Sequence, residues 1–338
     1  MAEKRLGYQT VRLASPPYIV GAAAVAGPME AQGPLGHEFD QTYPDLLAGQ
    51  QSFEKAERLM MQDACQLALK KAGVTGSPPE VDYFLAGDLL NQLITSTFSA
   101  LPLAVPFLGL YGACSTFAES VGLGAMLIDG GYADRVLCAT SSHNAASERQ
   151  YRYPTEYGNQ RKPYSQWTVT GAGAVVLAAA GSGPRITHVT VGKVADLGIK
   201  DPYNQGAAMA PAAVDTIDVH LKDTGRSVDY YDLIVTGDLA RFGSQMAINL
   251  AADRNLYLGD RYQDCGVLIY DSEKQDVHSG GSGCACSAIV TCGHLLKEMS
   301  RGKIKRLLVV ATGALLSPTS FQQGENIPAV AHAIAIEG

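Results

Sequence analysis

The sequence is short of charge. Asp, Glu, Lys and Arg make up 17% of its 338 residues, against about 25% in an average globular chain. Much of the molecule is therefore buried surface, in one large core or against another subunit, and with 46% hydrophobic residues disorder is excluded as the dominant state. Basic excess is missing too. The 26 Lys and Arg stand against 33 Asp and Glu, a net charge of -7, which removes the electrostatic footprint of a nucleic-acid binder. No apolar run reaches the roughly 20 residues of a membrane span; LPLAVPFLGLYGAC at 101–114 is short and interrupted by proline. The opening MAEKRLGYQT lacks the apolar stretch of a signal peptide, so the chain is expected to be soluble or peripheral. Paired cysteines are absent as well. Seven scattered cysteines read as free thiols in a reducing compartment rather than a disulfide framework. The 36 glycines follow no collagen-like period and point to close approach of elements.

What the chain does have is a repeat. Residues 82–89 (DYFLAGDL) match 232–239 (DLIVTGDL), and 113–140 lie without a gap over 285–312, so that Ala-Cys-Ser recurs at Cys114 and Cys286. In each copy a helical pattern runs into a turn and then a buried strand. Phe117, Val121 and Ile128 form one stripe, and Ile289, Cys292, Leu296 and Met299 form its counterpart. Each half closes on a further strand, 171–179 and 329–337. Doubly apolar strands alternating with amphipathic helices predict a layered α/β fold. The two halves, 1–180 and 181–338, part near Gly181-Ser-Gly-Pro184 and share one core. A helix is expected over 52–72, carried by Ala56, Leu59, Met60, Ala64, Leu67 and Ala68, with a Ser77-Pro78-Pro79 turn after it.

Both cysteines fall where a helix starts, and unpaired N–H groups there favour anions and lower a thiol pKa. If the two starts face one cleft, it is an anion site, and Cys114 in GACST is a candidate nucleophile. The repeat by itself favours packing, since buried cysteine is a common small apolar residue. The spacing Cys284, Cys286, Cys292, His294 lacks the paired knuckles of a zinc site, and no metal is expected from it.

GACST after an apolar strand, two copies of one α/β half and a glycine-rich helix start resemble the thiolase-like superfamily of thiolases and ketoacyl-ACP synthases. More narrowly, GPLGHEFD (33–40), FLAGDLLNQ (84–92), ATSSHNAASERQYRYPTEYG (139–158), GGSGCACSA (280–288) and VVATGALLSPT (309–319) look like the stage V sporulation protein AD family. The resemblance implies a thiolase-like fold of αβαβα layers, its halves related by a pseudo-two-fold axis. It keeps Cys114 at the nucleophile position of the condensing enzymes. It places Gly237 where they carry a catalytic His and Ser282 where they carry Asn. Loss of both donors implies negligible condensation, because one oxyanion donor alone is worth about 2.7 to 4 kcal/mol, and Gly237 is expected to widen the cleft.

The family further implies a non-catalytic receptor for dipicolinic acid (pyridine-2,6-dicarboxylate), free or as its calcium chelate, within the SpoVA apparatus at the inner spore membrane. It implies other SpoVA proteins as partners, a homodimer and no cofactor beyond the calcium of the ligand. Candidate ligand residues are Cys114, Gly237, Asp238 and Ser282 at the cleft, and Arg149 and Arg152 with Tyr151 and Tyr153, since Arg forks match carboxylates and Tyr faces stack on flat rings. His143 and Asn144 follow a strand end, and Asp88 with Asn91 offers oxygens to calcium or water. Each has a plainer reading: the arginines as surface ion pairs with Glu148 and Glu156, His143 as a satisfied structural residue, Asp88 and Asp238 as turn caps. The competing reading is an acyltransferase or thioesterase that uses Cys114 with His143 or Asp238 as helper. A purely structural docking subunit is the third.

Overall fold

The structure, a computed structural model, describes residues 3–151 and 161–338. Five principal strands of the first half, β1 (Tyr18–Ala26), β2 (Tyr83–Gly87), β3 (Phe107–Gly109), β4 (Arg135–Ser142) and β5 (Gly171–Ala178), align in the order β1-β5-β4-β2-β3. The second half repeats this with β6 (Arg185–Thr190), β7 (Leu233–Thr236), β8 (Tyr262–Asp264), β9 (Arg306–Ala314) and β10 (Ala329–Glu337), ordered β6-β10-β9-β7-β8. In each half the inner partners of the last strand run antiparallel and the outer strands run parallel. The two sheets join where Arg185 pairs with Tyr18, and a short strand at Thr10–Arg12, from the first half, pairs with β6 in the second. The chain crosses from one sheet to the other through residues 179–184.

Helices fill three layers around these sheets. The outer face of the first sheet is covered by α1 (Phe53–Lys71), with α2 (Ile94–Leu103) packed beside it. Helix α3 (Thr116–Asp129) lies between the sheets. After the short α4 (Asn144–Tyr151) come α5 (Gln205–Thr224) and α6 (Ala240–Ala252), which cover the second sheet. Helix α7 (Cys284–Val290) is the partner of α3 in the middle layer and continues through a π turn (Thr291–Leu295) into α8 (Leu296–Ser300). The sequence predicts one unbroken helix there; the π turn inserts a wider loop that periodicity does not reveal.

The glycines of α3 show why it fits between two sheets. A Cβ on Gly122 would meet Val189 of β6 at 2.8 Å, and one on Gly124 would meet Cys138 of β4 at 3.0 Å. Each sheet therefore approaches the helix backbone from its own side. The predicted stripes Phe117, Val121, Ile128 and Ile289, Cys292, Leu296, Met299 are all buried. Helix α1 starts at its Ser52 N-cap, whose hydroxyl accepts from Lys55 N, and it buries Glu57 among its apolar residues. No helix among the described residues is long and apolar enough to cross a membrane.

Candidate functional site

The repeat brings the starts of α3 and α7 to one pocket. In the first half, Ala113 adopts a left-handed conformation (φ +50°), which turns the chain so that Cys114 precedes the Ser115 N-cap of α3. In the second half Gly283, at φ +104°, is the N-cap of α7. Cys114, Ser282 and Gly283 line the same pocket with Leu89, Tyr111, Ser147, Tyr151, Thr168 and Gln205. It is narrow: the enclosed space is about 30 Å3, room for water and far below the usual volume of a ligand site. Among the described residues that line it there is no Arg, Lys or His.

The second helix start differs in register from the first. Cys286 lies inside α7 and is fully buried in the apolar core. Cys284 instead reaches the cysteine of the other half: it packs with Ala113 and Cys114, and its thiol donates to the Ala113 carbonyl at 3.0 Å.

Asp238 stands behind the pocket wall, completely buried. Its Oδ2 accepts from Ser282 Oγ at 3.0 Å and from Gly283 N at 3.0 Å, and its Oδ1 accepts from Thr312 Oγ1. Its backbone carbonyl accepts from Gln166 Nε2. Burial raises the Asp238 pKa while these donors oppose the rise. Burial pushes the Cys114 thiol well above its ordinary range, and the Asp238 carboxylate beside it pushes further in the same direction. A helix start ordinarily favours thiolate; here burial and a neighbouring carboxylate outweigh it.

Gly237 does not widen the cleft. A Cβ there would meet Ala311 Cα and Thr312 N at 3.0 Å, so the bare backbone lets β7 and β9 close on each other. Asp238, the next residue, is the one that lies beside Cys114. The expected turn cap is found at the twin position instead. Asp88 accepts from Leu90 N at 3.0 Å, Ser96 N at 2.8 Å and Ser96 Oγ at 2.6 Å, tying down the turn before α2.

The remaining predicted residues spread around this centre. Asn91 is exposed at the outer mouth near Tyr111 and Tyr151, and its N–H donates to Gln150. His143 turns away: Nε2 lies 2.8 Å from the Leu46 carbonyl, and the ring packs 5.3 Å from Phe53. Burial lowers its pKa. Asn144 is buried and donates its N–H to Thr170 Oγ1. Arg149 pairs with Glu54 over the Phe53 ring, outside the pocket. Arg152, Tyr153 and Glu156 lie outside the described residues. The cysteine and His294 spacing does not converge; His294 sits instead near Glu38 and Glu298, where Arg301 already contacts both carboxylates, at 2.9 and 2.7 Å.

Among the pocket residues Tyr151 is one the sequence reading names, whereas Ser147, Tyr111 and Thr168 are not. Ser147 and Tyr151 are four apart on α4, the spacing that puts two side chains on one helix face, and both line the pocket. The Ser147 hydroxyl is buried without a partner. Tyr111 and Thr168 carry no sequence signal that distinguishes them.

Comparison with known proteins fits this architecture. Among solved structures, 3-oxoacyl-(acyl-carrier-protein) synthase III from Aquifex aeolicus aligns with a TM-score of 0.59 at 14% identity, over 95% of this chain and 100% of that one. Cerulenin-bound OleA from Xanthomonas campestris aligns with a TM-score of 0.62 at 14% identity, over 99% of this chain and 100% of that one. At that identity the likeness is one of fold, and the fold is thiolase-like. In sequence, stage V sporulation protein AD of Bacillus subtilis (strain 168) is 50% identical over 334 residues, 99% of this chain and 98% of the relative. The family profile of stage V sporulation protein AD matches residues 7–337. The chain therefore belongs to the stage V sporulation protein AD family.

Proposed function

We propose that this sporulation protein is a non-catalytic receptor for dipicolinic acid, and that the ligand sits in the pocket between the two helix starts. The observation that carries the proposal is the pocket's chemistry. Hydroxyls from Ser147, Thr168, Tyr111 and Tyr151 and the wall of Ser282 and Gly283 surround a cysteine that has a carboxylate, and no imidazole, beside it. Of these groups the Ser147 hydroxyl has no partner in the protein and is the one ready to meet a carboxylate oxygen, while the Asp238 carboxylate raises the thiol pKa and the imidazole and carboxamide donors of the condensing enzymes are not among the described lining residues. The enclosed space is about 30 Å3, so entry of a flat aromatic dicarboxylate requires Tyr111 and Tyr151, whose hydroxyls meet at the mouth, to part. Because no cation lines the pocket among the described residues, the charge-balanced calcium chelate is the form this wall suits best.

The role in uptake or release by spores, the other SpoVA proteins as partners at the inner spore membrane, and the homodimer belong to the same proposal and are supported by family membership. The apolar Leu101, Leu108 and Phe98, each more than 40% exposed along α2 and the edge strand β3, offer a surface for a second copy. Sedimentation at micromolar concentration should give twice the 35.7 kDa chain mass.

The acyltransferase reading predicts a different result in one assay. Incubation with acyl-CoA donors and weighing of the Cys114 peptide should leave it unmodified; a stoichiometric acyl adduct with turnover would replace the receptor with an enzyme.

A further inference from the structure

Cysteine at the start of a buried helix is an unexpected residue to keep in a receptor, because thioesters and electrophiles attack that position most readily once a thiolate forms. The surroundings of Cys114 explain how it stays inert. The sulfur lies in the pocket wall with Ser282 and Gly283, and both of these donate to one oxygen of Asp238 at 3.0 Å. Thr312 holds the other oxygen. The carboxylate is thus fixed from three directions and cannot swing away. Ionising Cys114 would set two negative groups side by side where Cys114 is buried and Asp238 wholly so, and the Gly283 N–H, which favours the thiolate, is shared with Asp238.

We propose that Asp238 is an electrostatic lock on Cys114: its buried carboxylate, fixed by Ser282, Gly283 and Thr312, holds the sulfur as a neutral thiol and keeps it out of thioester chemistry. The proposal rests on the receptor reading of the pocket and names the residue that keeps it a receptor. The raised thiol pKa agrees in direction, with burial as its first cause and Asp238 as its second. The chemistry suppressed is simple. In acylation the thiol proton leaves to solvent, the sulfur forms a bond to the thioester carbonyl carbon, and the donor's sulfur departs and takes up a proton. With iodoacetamide the sulfur–carbon bond forms as the carbon–iodine bond breaks, iodide leaves, and the proton goes to buffer. Both begin with the deprotonation that Asp238 opposes.

The test follows modification of the Cys114 peptide by mass spectrometry in native full-length protein treated with iodoacetamide from pH 6 to 10. The wild type should resist at pH 8. Asp238→Asn, with its fold checked by circular dichroism and melting, should react at least about tenfold faster, the effect of one pKa unit on thiolate fraction. It should also show a pH profile moved to lower pH. Thr312→Val keeps the carboxylate but removes one donor, so Asp238 ionises at higher pH and reactivity at neutral pH should rise by a smaller factor. This second variant serves if Asp238→Asn does not fold. Folded variants that react no faster than wild type, or a wild-type Cys114 that reacts like a free thiol at pH 7, would overturn the lock. Dipicolinate binding by the wild type is measured alongside: binding without release of reactivity in the variants removes the lock and leaves the receptor, whereas release without binding does the reverse.

Discussion

The hydroxyl of Tyr111 lies 3.0 Å from that of Tyr151 at the mouth of the pocket. Tyr151 also donates to the Leu89 carbonyl. A phenol carries one proton, so Tyr111 must be the donor of the pair and Tyr151 the hinge of a short chain that ends on backbone. Removing the hinge breaks two bonds and leaves the Leu89 carbonyl without that donor. Tyr151→Phe should therefore cost about 1 to 2 kcal/mol, read from urea unfolding, and should speed ligand exchange. Tyr111→Phe should cost less, because Tyr111 is 45% exposed and loses one bond to water. Equal costs for the two variants would contradict this order.

Arg149 should matter little. Its pair with Glu54 is substantially exposed, with 47% and 30% of the two side chains open to solvent, and such pairs contribute under about 1 kcal/mol. Arg149→Ala should leave dipicolinate heats unchanged and shift stability by less in high salt than in low. A large loss of binding in this variant would place the ligand on the other face of α4.

The face that α4 turns to the pocket is legible in its residue spacing. Arg149 is two residues beyond Ser147, roughly 200° around a helix of 3.6 residues per turn, and thus on the side away from the pocket. Ser147 and Tyr151, four apart, were the legible pair. The repeat, by contrast, carried both sheets, because strand pairing and apolar spacing survive in each copy. Gly237 against Asp238 was not legible. Alignment on the strand gives the slot of the missing imidazole to Gly237, and only the packing of β7 on the Ala311 backbone shows that the next residue is the one facing sulfur. Helix register hid the exchange of Cys286 for Cys284 in the same way.

Glu30 should make stability fall as pH rises through the weakly acid range. It is fully buried, and burial pushes its carboxyl up to about 7, against the lowering effect of Tyr270 and Thr170, which donate to it. Above pH 4.5 the unfolded chain ionises Glu30 while the native state resists, so stability drops until about pH 7 and is level beyond. A shift of this size corresponds to about 3 kcal/mol. Glu30→Gln keeps an oxygen for both donors and should be the more stable protein at pH 8 but not at pH 4, as melting at the two values would show. Asp264, raised by burial to about 7, retains the same slope in that variant.

His220 should act in the opposite direction. Its Nε2 lies 2.6 Å from Tyr231 Oη, which also accepts from Arg226 at 2.9 Å. Its Nδ1 lies 2.7 Å from Thr190 Oγ1. The ring is neutral, and burial, with His188 and Arg226 nearby, lowers its pKa to about 3. The unfolded chain protonates near pH 6.5, so the stability due to neutral His220 is lost as pH falls from about 6.5 toward 3. His220→Gln should flatten the acid limb of an unfolding curve followed by circular dichroism. An unchanged acid limb would contradict this.

Calorimetric titration of the wild type and of Ala314→Phe, whose ring fills the pocket from the end of β9, with dipicolinate and calcium tests the central claim most directly. Saturable heat near one ligand per chain is expected in the wild type and none in the filled variant. Absence of saturable heat in the wild type, or equal heat in both proteins, would contradict it.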